Sequence, residues 1–206
     1  MEVIHFSIDY IRRSKGKSAV AVVAYNAGER IYNQYDGRTH DYSHRRDVVY
    51  SQILLPHNAP GDFTDRTTLW NSVELKEKNS NAQLGRIIIV ALPAELDCGE
   101  QVRLIRNYVQ INFVDQGMCA DVCVHDKRDG NPHAHIILTL RSLDCNGNWL
   151  GKSKKNYILD EDGCRTYDPI KKQYLCGRSI PLNDWSQRDN AEKWHREWAV
   201  VCNREF

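Results

Sequence analysis

Three histidines around one chain reversal, His125, His133 and His135, have the clearest chemical potential in this sequence. The turn between them is marked by Asp-Gly and Asn-Pro within residues 129–132, which are strong signals for a reversal. Side chains alternate between the two faces of a strand, so His133 and His135 point the same way. His125 ends the strand predicted over residues 120–125 and lies at about the same level. We therefore expect three imidazoles to converge on one face of a sheet.

Such a cluster suits a metal ion. Three neutral nitrogen ligands leave the +2 charge of a bound cation uncompensated and coordination positions open, as a catalytic site requires. Asp126 and Asp129 are near enough in sequence to accept hydrogen bonds from the imidazole N–H groups. The alternative is that the three histidines belong to a polar hairpin and share no ligand. The third histidine, together with the apolar run after His135, favours a metal site.

A nucleophile for such a site is harder to choose from the residues themselves. Tyr25 lies in an alanine-rich stretch predicted to be a helix, where a tyrosine is usually a packing residue. The same part of the chain offers other candidates, namely Tyr10, Tyr32, Tyr35 and Tyr42. The pattern alone leaves this choice open.

The elements that must position these residues follow from hydrophobic periodicity and turn signals. We predict strands over residues 3–8, 48–55, 86–92, 120–125 and from 133, and helices over 19–29, 62–79, 99–113 and 189–204. Residues 35–42 are expected to be a turn-rich segment. The order indicates an α+β fold, in which a mostly antiparallel five-stranded sheet carries its helices on one side.

Two regions are basic. Arg12, Arg13, Lys15 and Lys17 precede the N-terminus of the first predicted helix, where backbone N–H groups already favour phosphate. A polar excursion at about 143–184 mixes cations with tyrosines, which suits a groove for single-stranded DNA. A solvated loop and a polar excursion with a short hairpin are the plain alternatives. The predicted DNA-contacting residues are Arg12, Arg13, Lys15, Lys17, Lys127, Lys152, Lys154 and Lys155.

Composition narrows the class of protein. The 206 residues are expected to form a single domain, 1–206, and the formal net charge of +1 means that any nucleic-acid surface must be local. Seven cysteines without a C-x-x-C pair indicate a reduced, cytoplasmic setting. No apolar run approaches the about 20 residues of a membrane span.

Several segments together resemble a known family. His-hydrophobic-His on a strand is the signature of the HUH endonucleases, and the flanking motifs resemble the MobA/MobL group of conjugative relaxases. The segments that carry the resemblance are Asn131-Pro132-His133-Ala134-His135 with its following strand, Gly117-Met118-Cys119-Ala120-Asp121-Val122, residues 149–158, and residues 15–21 leading to Ala24-Tyr25. They occur in order over nearly the whole chain.

The resemblance implies a relaxase fold and a DNA nickase. Tyr25 would be the nucleophile that forms a 5′-phosphotyrosyl link at an origin of transfer, and His125, His133 and His135 would hold one divalent ion (Mn, Mg, Zn or Ni). Single-stranded origin DNA is the implied substrate, with accessory mobilisation proteins and a coupling protein as further partners. Relatives often append helicase or primase domains, so we expect the nuclease domain alone here.

The sequence departs from the family pattern at acidic positions. Ile87 and Ile89 stand where relatives typically show glutamates, and Tyr50 and Gln52 stand where they tend to show His and Glu. Carboxylates at such positions could orient a metal-bound imidazole, so we expect a slow enzyme. A non-cleaving origin-binding module and a rolling-circle replication initiator of the same superfamily remain alternatives, and a structural metal protein is the least favoured one.

Overall fold

The computed structural model describes residues 5–204, so residues 3 and 4 of the first predicted strand lie outside the described part. The described strands, in chain order, are β1 (Phe6–Arg12), β2 (Arg30–Asn33), β3 (Arg38–Asp41), β4 (Val48–Leu54), β5 (Gln83–Ala91), β6 (Ala120–His125), β7 (His133–Leu138), β8 (Ser153–Lys154), β9 (Tyr167–Asp168), β10 (Gln173–Tyr174) and β11 (Ile180–Pro181). The α-helices of this part are α1 (Ala19–Ala27), α2 (Arg66–Lys76), α3 (Cys98–Val109) and α4 (Asp189–Asn203).

A five-stranded sheet in the order β1-β5-β7-β6-β4 forms the centre of the fold. Each neighbouring pair is antiparallel. The predicted α+β class and the five-stranded sheet are therefore confirmed. None of the described helices has both the length and the hydrophobicity that crossing a membrane would require.

Helices cover both faces of this sheet. One core contains Ile136 and Val122 together with apolar residues of α3 and α4. A second core contains Ile137 and Ile11 together with residues of α1 and α2. The prediction that all helices lie on one side is wrong, because adjacent residues such as Ile136 and Ile137 are both apolar and each needs cover on its own face.

Local signals fix where the helices begin and end. The Ser18 side chain accepts a hydrogen bond from the Ala21 N–H and so starts α1. Gly28, at φ +65°, ends α1 two residues before the predicted boundary, because this left-handed conformation favours glycine. The helix predicted over 62–79 is a 3₁₀ turn, Gly61–Thr64, followed by α2. The helix predicted over 99–113 is α3 continued by a π-helical turn, Gln110–Val114.

Two extended structures are not evident from the sequence patterns. β2 and β3 form an antiparallel hairpin that includes most of the segment predicted to be turn-rich. The polar excursion forms small ribbons in which β8 pairs with β11 and β9 pairs with β10. These pairs are two residues long, which is too short for an alternating hydrophobic pattern to show.

Candidate active site

The three histidines lie together at the turn end of the β6–β7 hairpin. His125 is the direct cross-strand partner of His133, and His135 is opposite Cys123. One ring nitrogen from each histidine lies within 4.8 Å of the others. The ring centroids are 4.5 Å apart for His125 and His135, and 5.2 Å apart for His133 and His135. The predicted convergence is confirmed, and it lies on the face covered by α1 and α2.

Hydrogen bonds select the tautomers of two rings. His125 Nε2 is 2.7 Å from the carbonyl oxygen of Asn26, and His133 Nδ1 is 3.0 Å from that of Asn131. A carbonyl oxygen can only accept, so each of these nitrogens carries a proton. The lone pair is then on Nδ1 of His125 and on Nε2 of His133. Both rings are thereby oriented as metal ligands commonly are.

Backbone carbonyls act as these acceptors, whereas the sequence pattern predicts carboxylates. Asp126 instead accepts from the Arg128 N–H at 2.6 Å, and Asp129 accepts from the Asn131 N–H at 3.2 Å. Both aspartates therefore fold the turn locally, as aspartate side chains commonly do in turns. The turn thus supplies the Asn131 carbonyl to His133.

His135 has a ring nitrogen that no other group in the described part of the chain satisfies. Its Nδ1 is buried and finds no hydrogen-bond partner among residues 5–204. Burial, together with the neighbouring His125 and His133, lowers the pKa of His135 to about 3. Burial also lowers the pKa of His125. His125 and His135 are thus held neutral with lone pairs available, and a divalent cation fits the three-histidine set of donors.

Tyr25 lies on the last turn of α1, next to these histidines in the fold. The residue after it, Asn26, is the one whose carbonyl contacts His125. The Tyr25 side chain is 46% exposed and packs edge-on against Tyr42, with ring centroids 5.3 Å apart. A phenol at this place is open to a ligand while its ring is held by the protein.

Arg45 fixes the position of Tyr25 and was not identified from the sequence. Its guanidinium lies 4.0 Å above the Tyr25 ring, and its Nη1 donates to the Tyr25 carbonyl at 2.9 Å. Asp47 holds Arg45 in turn, with Nε to Oδ1 at 3.0 Å. The hydrogen bonds from Arg45 lower the pKa of Asp47 to about 2, so this carboxylate stays charged.

The other candidate tyrosines differ in their surroundings. Tyr10 accepts a hydrogen bond from Arg86 at 3.2 Å, on the face covered by α3 and α4, and so lies on the opposite side of the sheet from the histidines. Tyr42 contacts Tyr25 itself. Tyr32 and Tyr35 are about half exposed on or beside the β2–β3 hairpin. The structure therefore argues against Tyr10 and leaves Tyr32 and Tyr35 as the alternatives to test.

The two isoleucines at the family's acidic positions do lie on the histidine face. Ile89 is directly opposite His135 across β5 and β7, and Ile87 is opposite Ile137 one row further from the site. Residues directly opposite each other share a face of the sheet. An acid at position 89 would therefore have stood beside His135.

Tyr50 and Gln52 face the other way. They are opposite Val124 and Val122, which belong to the core under α3 and α4. Their side chains hydrogen-bond to each other. The expectation that acids at these two positions could orient a metal-bound imidazole is wrong for this chain, because the sheet separates them from the histidines.

A buried ionic network lies under the site, and it too was missed from the sequence. Asp121, which is 1% exposed, accepts from Arg66 Nε at 2.7 Å and Nη2 at 2.8 Å, and from Trp70 Nε1 at 2.9 Å. Arg66 also donates to Ser51 and pairs with Glu29. A charged residue inside the apolar strand β6 was the available signal, since buried charges are paired.

The eight predicted DNA-contacting cations differ in their surroundings. Arg13 pairs with Glu74 at 2.8 Å, and Lys152 pairs with Glu77 at 3.0 Å, so both are bound to α2 and the residue that follows it. Arg12 is partly buried. The cations with largely exposed side chains are Lys15, Lys17, Lys127, Lys154 and Lys155.

An α+β fold with three histidines clustered at one hairpin, and with Tyr25 on the helix beside them, matches the HUH class outlined from the sequence. Comparison with known proteins agrees. The sequence pattern of the MobA/MobL family matches residues 17–206. The chain belongs to the MobA/MobL family.

Similar proteins have been described in several bacteria. The chain is 33% identical to the "Probable mobilization protein MobA" of Bifidobacterium longum, over 98% of this chain and 38% of that protein. It is 35% identical to the "Conjugal transfer protein TraA" of Agrobacterium fabrum, over 79% of this chain and 15% of that protein. The chain thus spans well under half the length of these relatives.

A solved structure is also similar. It is described as "Molecular Basis of Vancomycin Resistance Transfer in Staphylococcus aureus" and matches with a TM-score of 0.83 and 31% identity, over 98% of this chain and 92% of that chain. At this identity and coverage, the similarity supports the family as well as the fold.

Proposed function

We propose that this protein is a site- and strand-specific DNA nickase that starts plasmid mobilisation. The observation that carries the proposal is the convergence of three imidazoles beside the helix turn that holds Tyr25, in a chain of the MobA/MobL family. The names of the relatives, which refer to mobilisation and conjugal transfer, support the same process.

In the proposed reaction Tyr25 attacks the scissile phosphodiester of a single strand. A bond forms between Tyr25 Oη and phosphorus while the bond from phosphorus to the 3′ oxygen breaks. The phenol loses its proton to solvent, and the 3′ oxygen takes one up. The 5′ end of the strand is then linked to the protein, and the energy of the phosphodiester is retained for rejoining.

The chain's own residues hold the reacting groups. Arg45 fixes the ring and backbone of Tyr25, and the carbonyls of Asn26 and Asn131 orient two of the histidines. A divalent cation held by His125, His133 and His135 would act as a Lewis acid on the non-bridging phosphate oxygens. Of Mn, Mg, Zn and Ni, three imidazoles suit Mg least, because Mg prefers oxygen ligands.

The DNA partner belongs to the same proposal. Lys15, Lys17, Lys127, Lys154 and Lys155 have exposed ammonium groups that can contact phosphates. Arg13 and Lys152 are already paired with carboxylates, so we expect them to shape the surface more than to contact DNA. A cytoplasmic location, accessory mobilisation proteins and a coupling protein stay predictions.

The test is covalent-adduct formation with pooled single-stranded oligonucleotides from candidate origins. Tyr25→Phe removes only the attacking oxygen, so the adduct seen on a denaturing gel should disappear while binding of the same DNA persists. Tyr32→Phe and Tyr35→Phe serve as matched controls and should keep the adduct. An adduct that survives in Tyr25→Phe would assign the nucleophile elsewhere.

A non-cleaving origin-binding module is the second candidate. It is favoured by one observation, namely that Ile89 lies opposite His135 where an acid would serve the site. A non-cleaving module would bind the origin oligonucleotides but form no adduct, even at long times and with added metal. The same gel therefore distinguishes the two functions.

A further inference from the structure

The polar excursion exposes an unusual amount of apolar surface. Within residues 150–182 more than a third of the surface is exposed for each of Leu150, Ile158, Leu159, Tyr167, Ile170, Tyr174, Ile180 and Leu182. Single exposed apolar residues are common, but a concentration of them marks an interaction surface. Nothing in the described part of the chain covers this one.

The excursion is a ribbon whose stem branches into two arms. Its stem is formed by the β8–β11 pair and the bridge between Tyr157 and Cys176. At the junction three backbone hydrogen bonds form a cycle, from Ile158 to Leu175 (3.0 Å), from Leu175 to Thr166 (2.8 Å) and from Thr166 to Ile158 (2.9 Å). Two arms leave this junction, and each ends in a tight turn.

The two turns carry opposite charges. The turn of the first arm contains Asp160, Glu161 and Asp162. The turn of the second arm, between β9 and β10, contains Ile170, Lys171 and Lys172. A polyanion is therefore repelled by the first arm and attracted by the second.

The second turn holds its apolar side chain outward. Asp168 Oδ1 accepts from the Ile170 N–H at 2.9 Å and from the Lys171 N–H at 3.1 Å. Lys172 has φ +50°, a left-handed conformation that closes the turn. Ile170 is 92% exposed, the highest value among the exposed large apolar residues. The isoleucine thus protrudes from a turn that is fixed by its own backbone.

Aromatic rings lead from the junction to this turn. Tyr167 and Tyr174 meet edge to face with centroids 5.3 Å apart, and Tyr157 lies 6.1 Å from Tyr174. Arg165 stacks over Tyr157 at 4.2 Å. Half-exposed rings beside cations are typical of surfaces on which unpaired bases stack.

We propose that Ile170 is a wedge that inserts at the end of a DNA duplex, where base pairs meet the single strand that this protein handles. Apolar side chains that protrude next to cations are used in this way to unstack base steps. Lys171 and Lys172 would contact the flanking phosphates, and the tyrosines would receive the unpaired bases. The inference rests on the proposed DNA-handling function but does not require cleavage.

The probe is a short DNA hairpin with a single-stranded tail, carrying 2-aminopurine in the last base pair before the tail. Wild-type protein should raise the 2-aminopurine fluorescence, because unstacking relieves its quenching. Ile170→Ala should lose most of this rise at saturating protein. It should also bind the tailed hairpin about tenfold more weakly, because the contacts of an inserted side chain offset the free-energy cost of unstacking the bases. Its affinity for the tail alone should not change.

Two further variants isolate the wedge. Leu159→Ala removes an exposed apolar side chain from the acidic arm and should behave as wild type. Lys171→Gln with Lys172→Gln should weaken binding of both probes but keep the full fluorescence rise at saturation. A full rise in Ile170→Ala, or an equal loss in Leu159→Ala, overturns the wedge. Unchanged DNA measurements in Ile170→Ala would also overturn it and would assign the exposed turn to a protein partner.

The outcome is independent of the nickase proposal. A protein that forms the Tyr25 adduct on single strands but gives no fluorescence rise has no wedge, and its proposed nicking stands. A rise that depends on Ile170, in a protein that never forms an adduct, supports the wedge and contradicts cleavage.

Discussion

Each histidine of the cluster is held in a ligand-competent form by its own surroundings. His125 and His133 donate to carbonyls, and burial keeps the pKa of His135 far below its usual range. At neutral pH His125 and His135, whose pKa values are both lowered, therefore offer a lone pair without first losing a proton. This is the condition under which imidazole binds a metal.

The metal assignment can be tested at two of these residues. His133→Ala with His135→Ala should weaken binding of a divalent ion by more than about 100-fold, since losing even an outer partner costs up to that much. Adduct formation should fall with it. Elemental analysis and calorimetric titration measure the bound ion, and circular dichroism checks the fold.

The matched control is His57→Ala, which removes an exposed histidine from the loop after β4. It should leave both metal content and adduct formation unchanged. Unchanged metal in the double variant would refute the assignment.

The acidic positions can be separated by their place on the sheet. Ile89→Glu places a carboxylate beside His135, so we expect metal affinity or adduct formation to rise about 10- to 100-fold. Ile87→Glu places one between the apolar Ile137 and the like-charged Asp9, its two cross-strand partners, and should only lower the free energy of unfolding. The two variants are compared by adduct kinetics and by urea unfolding. If both variants lose the same free energy of unfolding and Ile89→Glu does not form the adduct faster, positions 87 and 89 both belong to the hydrophobic core.

One ionic network joins α2 to the central sheet. Arg66 and Trp70 of α2 both donate to Asp121 of β6. Two residues further along β6, Cys123 lies directly opposite His135. The network thus fixes the helix against the strand that carries the site. It also satisfies a carboxylate that could not be buried alone.

Breaking the network from one side should be costly. Arg66→Ala leaves Asp121 buried without its main partner, and we expect the free energy of unfolding to drop by about 3–5 kcal/mol. Urea unfolding provides the measurement. Arg66→Met combined with Asp121→Leu should regain part of that loss, because no unpaired carboxylate is then left buried at position 121, although the Trp70 N–H loses its acceptor and Glu29 loses its partner. A cost below about 1 kcal/mol for Arg66→Ala would show that the pair behaves like an exposed ion pair.

The distribution of charge over the surface is more important for DNA binding than the formal net charge of +1. Several of the cations predicted to bind phosphate are exposed lysines on loops, whereas Arg13 and Lys152 are paired with Glu74 and Glu77. Lys17 approaches Asp9 at 3.5 Å, but both side chains are about half exposed. Such a pair is weak, so Lys17 stays available to DNA.

Neutralising the loop before α1 should reduce binding of every DNA sequence alike. Lys15→Gln with Lys17→Gln should flatten the dependence of log affinity on log salt by about one unit for each lysine that binds a phosphate in the wild-type complex. The control is Lys193→Gln, at an exposed position of α4 on the other face of the sheet, and it should leave the slope unchanged. Equal slopes in all three proteins would mean that Lys15 and Lys17 are only solvated.

Local sequence signals were sufficient to predict the strands of the central sheet, the helices and the histidine cluster. The strand over residues 120–125 and the start of the next at His133 match the structure, because alternation and turn residues are local signals. The same rule places His133 and His135 on one face. Family motifs, not local physics, pointed to Tyr25.

Which other residues surround the histidines depends on contacts between segments that are distant in the chain. Pairing between distant strands places Ile89 beside His135 and puts Tyr10, Tyr50 and Gln52 behind the sheet. Helix placement on both faces, and the interactions of Arg45 and Arg66, likewise depend on segments far apart in the chain. A strand's periodicity says which side chains lie together on a face, but the neighbouring strand and the covering helix determine what that face meets.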